Sequence, residues 1–546
     1  MQKLTVCSLV TEAVKKYRGN TSLSFVGKEG MTYAGLADKI RDTSDLLLQA
    51  GIQKKDKVAV IGENMPNWGI AYLSILFSGG ITVPILPDFH PSEVMSIIDH
   101  SESKLVVVSL KQYARLKNEL ELKKIPYIIM ENLTASESLN LTDTAPQNLS
   151  LEEKSLAIAE EDLASIIYTS GTTGSSKGVM LSHKNLSWMA IQTLTIQDVN
   201  QYDRFLSILP LSHTYENSLG FILALNAGAS IYYLDKLPTP TVLVNALKMV
   251  KPTTILSVPL IIEKIYRKQV LPKLTGNPVS RRLFGFRPTR IILNRLAGKK
   301  LMETFGGQVR FFGIGGSKLD PTIEKYLREA RFPYAIGYRL TETSPLLAGC
   351  SPQNTRWQST GPALKGVELK IDNPDPETGE GEILAKGPNV MKGYYKNPEA
   401  TKNVFTSDGW FRTGDLGIID KKGILYIKGR IKNVILGTNG ENIYPEEIES
   451  IFNSIEGIEE SLVIQKQGKL VAMVNLNLHE LEESIVRLNE KLVRVTHDTL
   501  DEALVEIQSF VNQKLNRFSR VQAVILQTVP FEKTPTNKIK RYLYTA

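Results

Sequence analysis

A string dense in hydroxyl groups and glycines, YTSGTTGSSKG at residues 168–178, is the segment of this sequence best suited to bind a ligand. Such a composition is poor for a helix or for a strand interior. It suits a loop whose backbone N–H groups and hydroxyls surround phosphate oxygens, with Lys177 adding positive charge. The string is not a Walker loop, because no Gly-Lys-Ser/Thr run closes it. A mobile polar turn is the alternative, but the length of the string favours a phosphate-binding loop.

The elements that must position this loop alternate along residues 1–430. Apolar, β-branched runs such as KVAVIG at 57–62, ITVPIL at 81–86 and KLVVVS at 104–109 are typical of buried strands. The spacing between runs leaves room for a helix, which favours βαβ units and largely parallel sheets. The alternation resumes after residue 160, so we expect two α/β layers.

The texture of the sequence changes near residue 359. Short strand signals such as GEILAKGP and GILYIKGR, among frequent Gly and Pro, predict a small β-barrel over about 359–430. Residues 431–546 then predict a separate α+β lid. The predicted fold class is therefore α/β, with an N-terminal domain over 1–430, made of two α/β layers plus the barrel, and a mobile C-terminal lid.

Composition excludes several classes of protein. The 546 residues are 42% apolar and 22% charged, which is ordinary for a globular chain and unlike a disordered or fibrous one. Two cysteines cannot form a disulfide framework, so we expect a reducing compartment. The N-terminus is too charged for a signal peptide, and the uncharged stretch 68–87 is broken by Gly and Pro. These observations predict a cytoplasmic protein.

Seven further blocks follow the loop in a fixed order. They are PLSHTYE at 210–216, GIGGS at 313–317, GYRLTET at 337–343, GWFRTGD at 409–415, GRIKN at 429–433, GENIYPEEIE at 440–449 and TPTNKIKR at 534–541. Together with the loop they resemble the adenylate-forming (AMP-binding) superfamily. Within it, LPLSHTYE, KPTTILSVPLIIEKIY and the ending TPTNKIKR look like long-chain fatty acyl-CoA synthetases.

The resemblance implies an enzyme that uses ATP and Mg²⁺ to convert a carboxylic acid to an acyl-adenylate. Both reactants are anionic, so cations must surround the reacting centre. By resemblance, the catalytic residues are Lys538, Glu342, Thr341 and His213. Glu342 and Thr169 are the expected Mg²⁺ ligands, since this ion prefers oxygen. We expect His213 to position the acid, because a carboxylate needs no deprotonation at neutral pH. A surface ion pair for Glu342 and a merely basic tail for Lys538 are the alternatives.

The resemblance also implies a nucleotide site built from three regions. Asp415 and Arg430 are expected at the ribose and Tyr338 at the adenine, although an Asp before Leu-Gly is often a turn former and a Tyr beside Gly is often core. The full expected set is Thr169, Ser170, Gly171, Thr172, Thr173, Gly174, Lys177, Gly315, Gly316, Ser317, Tyr338, Asp415 and Arg430.

After adenylation, the resemblance implies that the lid rotates about Lys432. The rotation would replace Lys538 at the active site with a loop that lines the thiol channel through Gly437, Gly440 and Glu441. Such a rotation suits a reaction with two successive partners.

One position departs from the family pattern. Arg339 stands where relatives usually have glycine, next to the expected acyl tunnel. The long cation would narrow the tunnel, pair with a polar or dicarboxylic tail, or turn away. It puts the identity of the acid in doubt more than the reaction.

Net charge is +8 and is concentrated in one segment. Residues 264–310 hold twelve Lys and Arg against the single acid Glu303, so they carry +11 and the rest of the chain −3. The pattern indicates a local anionic partner and not a nucleic-acid-binding protein. Peripheral contact with the inner face of a membrane, an acidic acyl-carrier protein, the CoA 3′-phosphate and a solvated hairpin all remain open.

The leading hypothesis is a long- or medium-chain fatty acid:CoA ligase, with CoA as co-substrate. Two alternatives remain. An acyl-acyl-carrier-protein ligase would use the same adenylation step. A non-catalytic acyl- or nucleotide-binding relative is suggested only by Arg339.

Overall fold

The computed structural model describes residues 3–135, 139, 141, 149–169, 176–236, 239–316, 318–436, 442–455, 457–466, 468–476, 497–534 and 538–545. Its order of elements alternates strands and helices through the N-terminal region and becomes strand-rich after residue 360. The α/β class predicted from the sequence is confirmed.

The first sheet has eight strands and carries the edges of the phosphate loop. Its central strands are parallel, and antiparallel strands close both edges. In spatial order they are Gly393–Tyr394, Lys177–Ser182, Leu163–Thr169, Ile81–Ile85, Lys57–Ile61, Ser103–Val108, Tyr127–Ile129 and Thr134–Ala135.

The second sheet has seven strands, and every pairing except the last is parallel. In spatial order they are Tyr334–Ile336, Phe311–Ile314, Thr254–Ser257, Arg204–Ser207, Ser230–Tyr233, Thr21–Phe25 and Met31–Thr32. Strand Thr21–Phe25 enters beside a strand some two hundred residues later, a long-range pairing that the sequence pattern does not reveal.

A five-stranded antiparallel sheet occupies the region where the sequence predicts the barrel. Its spatial order is Gly361–Pro362, Ile424–Arg430, Phe411–Ile419, Gly381–Lys386 and Glu368–Asp372. A short pair, Tyr338–Arg339 with Leu346–Ala348, connects the second sheet to it.

The C-terminal part begins after the short 3₁₀ helix Ile431–Asn433. It contains the pair Ile435–Leu436 and Asn442–Ile443 and a three-stranded sheet of Ile458–Lys466, Lys469–Leu476 and Ala523–Leu526. Helices Pro445–Phe452 and His497–Lys514 accompany this sheet, and its own apolar cluster includes Phe452 and Val511. A core separate from the N-terminal clusters is what a lid domain needs.

The helices of the N-terminal part lie between successive strands. Several begin at a Pro in the first turn, where the missing N–H costs nothing. They are Val6–Lys16, Tyr33–Gln49, Pro66–Phe77, Pro91–Ser101, Leu110–Leu122, Leu151–Leu156, His183–Thr193, Glu216–Ile222, Leu223–Asn226, Pro240–Val250, Pro259–Ile265, Tyr266–Val270, Leu271–Thr275, Pro278–Gly285, Arg287–Thr304, Pro321–Glu329 and Pro398–Asn403.

The uncharged stretch at 68–87 is part of the core. Helix Pro66–Phe77 is buried along almost its whole length, and strand Ile81–Ile85 is buried throughout. Across the described ranges, no helix combines the length and apolarity needed to cross a bilayer.

Candidate active site

The ends of the phosphate loop are fixed by a β-hairpin. Thr169 ends one strand, Lys177 begins the next, and the two are directly paired in the antiparallel register. Ser176 donates a hydrogen bond to Glu93 at 3.0 Å. Five predicted loop residues between these strands, Ser170, Gly171, Thr172, Thr173 and Gly174, lie outside the described residues.

Tyr394 connects the end of this loop to Glu342. The Tyr394 hydroxyl donates to Glu342 Oε1 at 3.0 Å, and the Lys177 ammonium lies 5.0 Å from the centre of the Tyr394 ring. Tyr394 reaches this place because strand Gly393–Tyr394 pairs with the strand that follows the loop. The backbone N–H of Met391 also donates to the Glu342 carbonyl at 2.8 Å. Glu342 is thus held at the edge of the phosphate loop.

Glu342 fits a partial Mg²⁺ site. Within the described ranges, no group of three or more His, Cys, Asp or Glu side chains could hold a metal ion without help. Mg²⁺ commonly takes only one or two protein carboxylates and completes its shell with substrate phosphates and water. A single carboxylate beside a phosphate loop matches this preference, and the Thr169 hydroxyl lies at the start of the same loop.

Buried Tyr338 and Asp415 form a polar cluster with the partly exposed Arg430. The Tyr338 hydroxyl donates to Asp415 Oδ2 at 2.6 Å, and Arg430 Nε lies 2.8 Å from Asp415 Oδ1. Asp415 and Arg430 face each other in the register of two paired strands. Burial raises the pKa of Asp415, and the charge of Arg430 opposes the rise. The Asp415 carboxylate in turn raises the pKa of Arg430.

Lys538 of the C-terminal domain faces this cluster. Its charge is close enough to Arg430, Asp415 and Glu342 for each to affect its pKa. Lys538 is an exposed residue; partial desolvation, followed by the like charge of Arg430, lowers its pKa. The ammonium from the lid and the polar groups from the N-terminal domain therefore share one site.

His213 also faces Lys538. Desolvation, followed by the charges of Arg339 and Lys538, lowers its pKa from 6.5 to about 3. Its Nδ1 accepts a hydrogen bond from the Tyr215 backbone N–H at 3.2 Å. A neutral imidazole with a fixed tautomer suits a positioning role. Thr341 starts the 3₁₀ turn Thr341–Thr343 that carries Glu342.

Arg339 fills the space beside the glycine turn. Its guanidinium carbon lies 3.4 Å from the centre of the Tyr215 ring. On the other side, a Cβ added to Gly315 would lie 2.2 Å from Arg339 Nε, and one added to Gly316 would lie 3.2 Å from a terminal nitrogen. Gly316 has a φ of +110°, a backbone conformation that favours glycine. The two glycines leave room for the arginine.

Arg339 is a poorly paired cation. Its Nε is buried and has no hydrogen-bond partner. Desolvation lowers the pKa of Arg339 to about 10. The nearby Glu216 is buried, and desolvation raises its pKa to about 8, so it is largely protonated at neutral pH and gives little compensating charge.

A narrow cavity of about 30 Å³ runs beside Arg339. Most of its wall is apolar, which is typical of an acyl pocket. Its lining includes Ile196, Leu219, Leu256, Ile314, Ile336 and Leu346, together with Tyr215, Gly313 and Arg339. Arg339 is the one charged residue among the described residues that line this cavity.

Lys432, the predicted hinge, is exposed in the 3₁₀ turn between the two domains. The predicted thiol-channel residues Gly437, Gly440 and Glu441 and the predicted adenine-side Ser317 lie outside the described residues.

Two further residues of the site are absent from the predicted set. Tyr394 and Tyr215 are ordinary tyrosines in the sequence, and only sheet pairing and the arginine stack give them a place here.

The geometry defines a class of protein: an α/β fold with a small C-terminal part, in which Lys538 lies near Asp415, Arg430 and Glu342 of the N-terminal part. The sequence profile described as AMP-binding enzyme matches residues 10–395. The chain therefore belongs to the AMP-binding enzyme family, and the family predicted from the motifs is confirmed. Its members are adenylate-forming ligases.

Curated relatives cover nearly the whole chain at modest identity. A long-chain-fatty-acid–[acyl-carrier-protein] ligase, AEE15 of Arabidopsis thaliana, is 27% identical over 94% of this chain and 81% of its own. The long-chain-fatty-acid–CoA ligase FadD15 of Mycobacterium tuberculosis is 26% identical over 94% and 90%. The 4-coumarate–CoA ligase 1 of Solanum tuberosum is 28% identical over 93% and 87%.

Solved structures share the fold across both domains. ATP-bound MatB from Rhodopseudomonas palustris has a TM-score of 0.75 at 24% identity, covering 99% of this chain and 98% of that one. MenE from Bacillus subtilis, an O-succinylbenzoate CoA synthetase in complex with ATP and magnesium, has a TM-score of 0.75 at 21% identity, with 98% of each chain covered. The large N-terminal and small C-terminal architecture is thus that of the adenylate-forming ligases.

Proposed function

We propose that this protein is an ATP- and Mg²⁺-dependent acid–thiol ligase that activates a fatty acid or related aliphatic carboxylic acid and transfers it to CoA. The observation that carries the proposal is the convergence of Lys538 from the lid with Asp415, Arg430 and Glu342 from the N-terminal domain. These groups come from distant parts of the chain, and Glu342 lies beside the hairpin that bounds the predicted phosphate loop.

In the first half-reaction, a carboxylate oxygen of the acid attacks the α-phosphorus of ATP and pyrophosphate leaves. The two reactants repel each other, so the approach needs fixed positive charge at the point where they meet. Lys538 supplies this charge, because its ammonium lies near Arg430, Asp415 and Glu342. Neutral His213 orients the carboxylate without adding or removing a proton.

The Asp415–Arg430 pair holds the nucleotide. Asp415 accepts hydrogen bonds from the ribose hydroxyls, and Arg430 donates to the same sugar while it balances the aspartate. Tyr338 keeps the carboxylate in position through its 2.6 Å hydrogen bond and offers its ring to the adenine. Glu342 and Thr169 would hold Mg²⁺, which would neutralise phosphate charge when bound.

In the second half-reaction, the thiol sulfur attacks the acyl carbonyl carbon, AMP leaves and the thiol proton passes to solvent. The lid turns about Lys432, so that Lys538 withdraws and the loop containing Gly437, Gly440 and Glu441 lines the thiol channel. The single turn Ile431–Asn433, in which no residue is buried, supports a pivot at this point.

The acid is proposed from the lining of the cavity and from the named activities of two relatives. An apolar wall suits an aliphatic chain, and the curated relatives from Arabidopsis and Mycobacterium are named for long-chain fatty acids. Arg339 lines the same cavity, so the chain length that it admits is a matter for the acid series below. Two free, buried cysteines, Cys7 and Cys350, agree with a reducing cytoplasmic location.

The test is pyrophosphate release by the purified full chain with ATP, Mg²⁺ and a series of acids from short to long, including dicarboxylic acids. We expect acid-dependent release with aliphatic acids. ATP binding without release for every acid would contradict the proposal and support a non-catalytic relative.

The acceptor is tested on the same reaction. Mass spectrometry would follow product formation with CoA and with a phosphopantetheinylated acyl-carrier protein. Thioester formation with CoA is expected, and product with the carrier protein alone would favour the acyl-carrier-protein ligase activity for which the Arabidopsis relative is named.

A further inference from the structure

The outer side of a two-helix segment combines exposed apolar and basic side chains. We call residues 278–304 the basic hairpin; it consists of helices Pro278–Gly285 and Arg287–Thr304, joined at Phe286. Phe286 is 64% exposed at the tip. Each helix adds a pair of exposed apolar residues four positions apart, and so on one helical face: Val279 with Leu283, and Ile292 with Leu296.

The inner side of the basic hairpin is firmly attached to the protein. Arg290 forms an ion pair with Glu329 at 2.9 Å, and Asn294 donates to the same carboxylate at 2.7 Å. Gly298 packs so closely that an added Cβ would lie 2.7 Å from the Ala330 Cβ. Leu293 and Ala297 pack on the apolar cluster of the second sheet. The exposed apolar residues therefore project from a fixed support.

The charge around these apolar residues has a single sign. Six exposed cations flank them, and none forms an ion pair within the ranges that the structure describes: Arg281, Arg282, Arg287, Arg295, Lys299 and Lys300. Glu303 is the only acid in the basic hairpin. Arg and Lys can lay their apolar stems along a hydrophobic surface and keep the charge in the headgroup layer.

We infer that the basic hairpin is a docking surface for an anionic lipid bilayer, with Phe286, Ile292 and Leu296 entering the headgroup boundary and the cations meeting lipid phosphates. Exposed apolar groups among unpaired cations match the surface of an anionic bilayer, where negative headgroups cover an apolar layer of acyl chains. An acidic protein surface would pair with the cations but would not by itself offer an apolar environment to the exposed ring of Phe286. The inference deepens the proposed function, because it gives the ligase access to a water-insoluble acid.

The first experiment is co-sedimentation of the full chain with vesicles. One set contains phosphatidylcholine alone, and the other contains phosphatidylglycerol as the anionic lipid. We expect binding to the anionic vesicles, weakened by added salt as the Debye length shortens. Equal binding to neutral vesicles, or none to either set, would overturn the inference.

Two variants test the two components separately. Lys299→Glu combined with Lys300→Glu should weaken binding at least tenfold, since each basic residue near an anionic surface contributes roughly fivefold in partitioning. Lys365→Glu combined with Lys421→Glu changes the net charge equally at exposed positions elsewhere and should bind like the wild type. If both double variants bind the vesicles equally weakly, binding depends on net charge alone and the inference is overturned.

Phe286→Ser combined with Leu296→Ser should weaken binding at low and high salt alike, whereas Leu122→Ser, at a residue 84% exposed on another helix, should not. Circular dichroism and the melting temperature check that each variant is folded. Pyrophosphate release with a water-soluble acid should stay unchanged in all variants. Since the vesicle assay needs no catalysis, its failure is distinct from failure of the proposed ligase activity.

Discussion

Arg339 stacks on Tyr215, with its guanidinium carbon 3.4 Å from the centre of the ring. The stack places a cation across a cavity whose wall is otherwise largely apolar. We expect Arg339→Gly to open the cavity and to raise kcat/KM for a long acid relative to a short one at least roughly tenfold, since each methylene in an apolar pocket is worth about tenfold or more. Pyrophosphate release over an acid series measures the ratio.

Arg339→Met separates volume from charge, because it removes the cation and keeps much of the side chain. If the wild type prefers dicarboxylic acids and both variants lose this preference, Arg339 pairs with the second carboxylate of the substrate. Arg517→Gly, at an exposed arginine of the lid, is the control. An unchanged acid profile in Arg339→Gly would show that the side chain does not limit the pocket.

Lys538→Ala should lower acyl-adenylate formation by about 10²–10³, the usual cost of removing a preorganised charge from a reacting centre. Thioester formation from supplied acyl-AMP should be largely retained, because the proposed rotation withdraws Lys538 before that step. The two half-reactions are measured separately, by pyrophosphate release and by mass spectrometry. Lys540→Ala, next along the same segment, is the control, and equal loss in both half-reactions would contradict the rotation.

Asp415→Asn should raise the KM for ATP by roughly tenfold to a hundredfold, because hydrogen bonds to a charged group are worth about 1.5–3 kcal/mol. The change also removes the negative partner of Arg430, at present 2.8 Å away. Isothermal titration with a non-hydrolysable ATP analogue checks the binding directly. Asp408→Asn, at an exposed aspartate, should leave affinity unaltered; an unaltered affinity in Asp415→Asn as well would remove this residue from the nucleotide site.

Tyr394→Phe should raise the Mg²⁺ concentration required for half-maximal activity several-fold. The change deletes the hydroxyl that holds Glu342 Oε1 at 3.0 Å and leaves the ring beside Lys177. Groups that orient a metal ligand typically contribute about tenfold or more to metal affinity or activity. A Mg²⁺ titration of pyrophosphate release measures the shift. The neighbouring Tyr395→Phe should show none, and similar curves for both variants would argue against Glu342 as a ligand.

The protein should lose stability as the pH falls from 6.5 toward 3, in part through His213. In the folded state burial holds its pKa at about 3, so the imidazole stays neutral across this window. The unfolded chain takes up the proton near the ordinary pKa of 6.5, and the proton uptake favours unfolding. Melting temperatures across this range should fall less steeply for His213→Gln than for the wild type. His90→Asn, which keeps a side-chain helix cap, should follow the wild type.

Local patterns were sufficient for most strands of the two large α/β sheets, whereas the middle of the predicted phosphate loop lies outside the described residues. Apolar runs such as 57–61 and 81–85 have the length and the β-branching of buried strands, so their identity depends little on distant contacts. Ordered motifs then sufficed for the family. Contacts between distant segments are different: Tyr394 reaches Glu342 only through an edge strand, and Arg339 reaches Tyr215 only after the glycine turn has made room. No local sequence pattern near Tyr394 or Arg339 predicts these contacts.

The strand that presents Arg430 ends at that residue, and the turn containing Lys432 follows at once. A ribose bound by Arg430 would lie next to the proposed hinge of the lid. When a domain rotates, atoms near the rotation axis move much less than atoms far from it. The nucleotide would therefore stay bound through both chemical steps while the groups around it are exchanged.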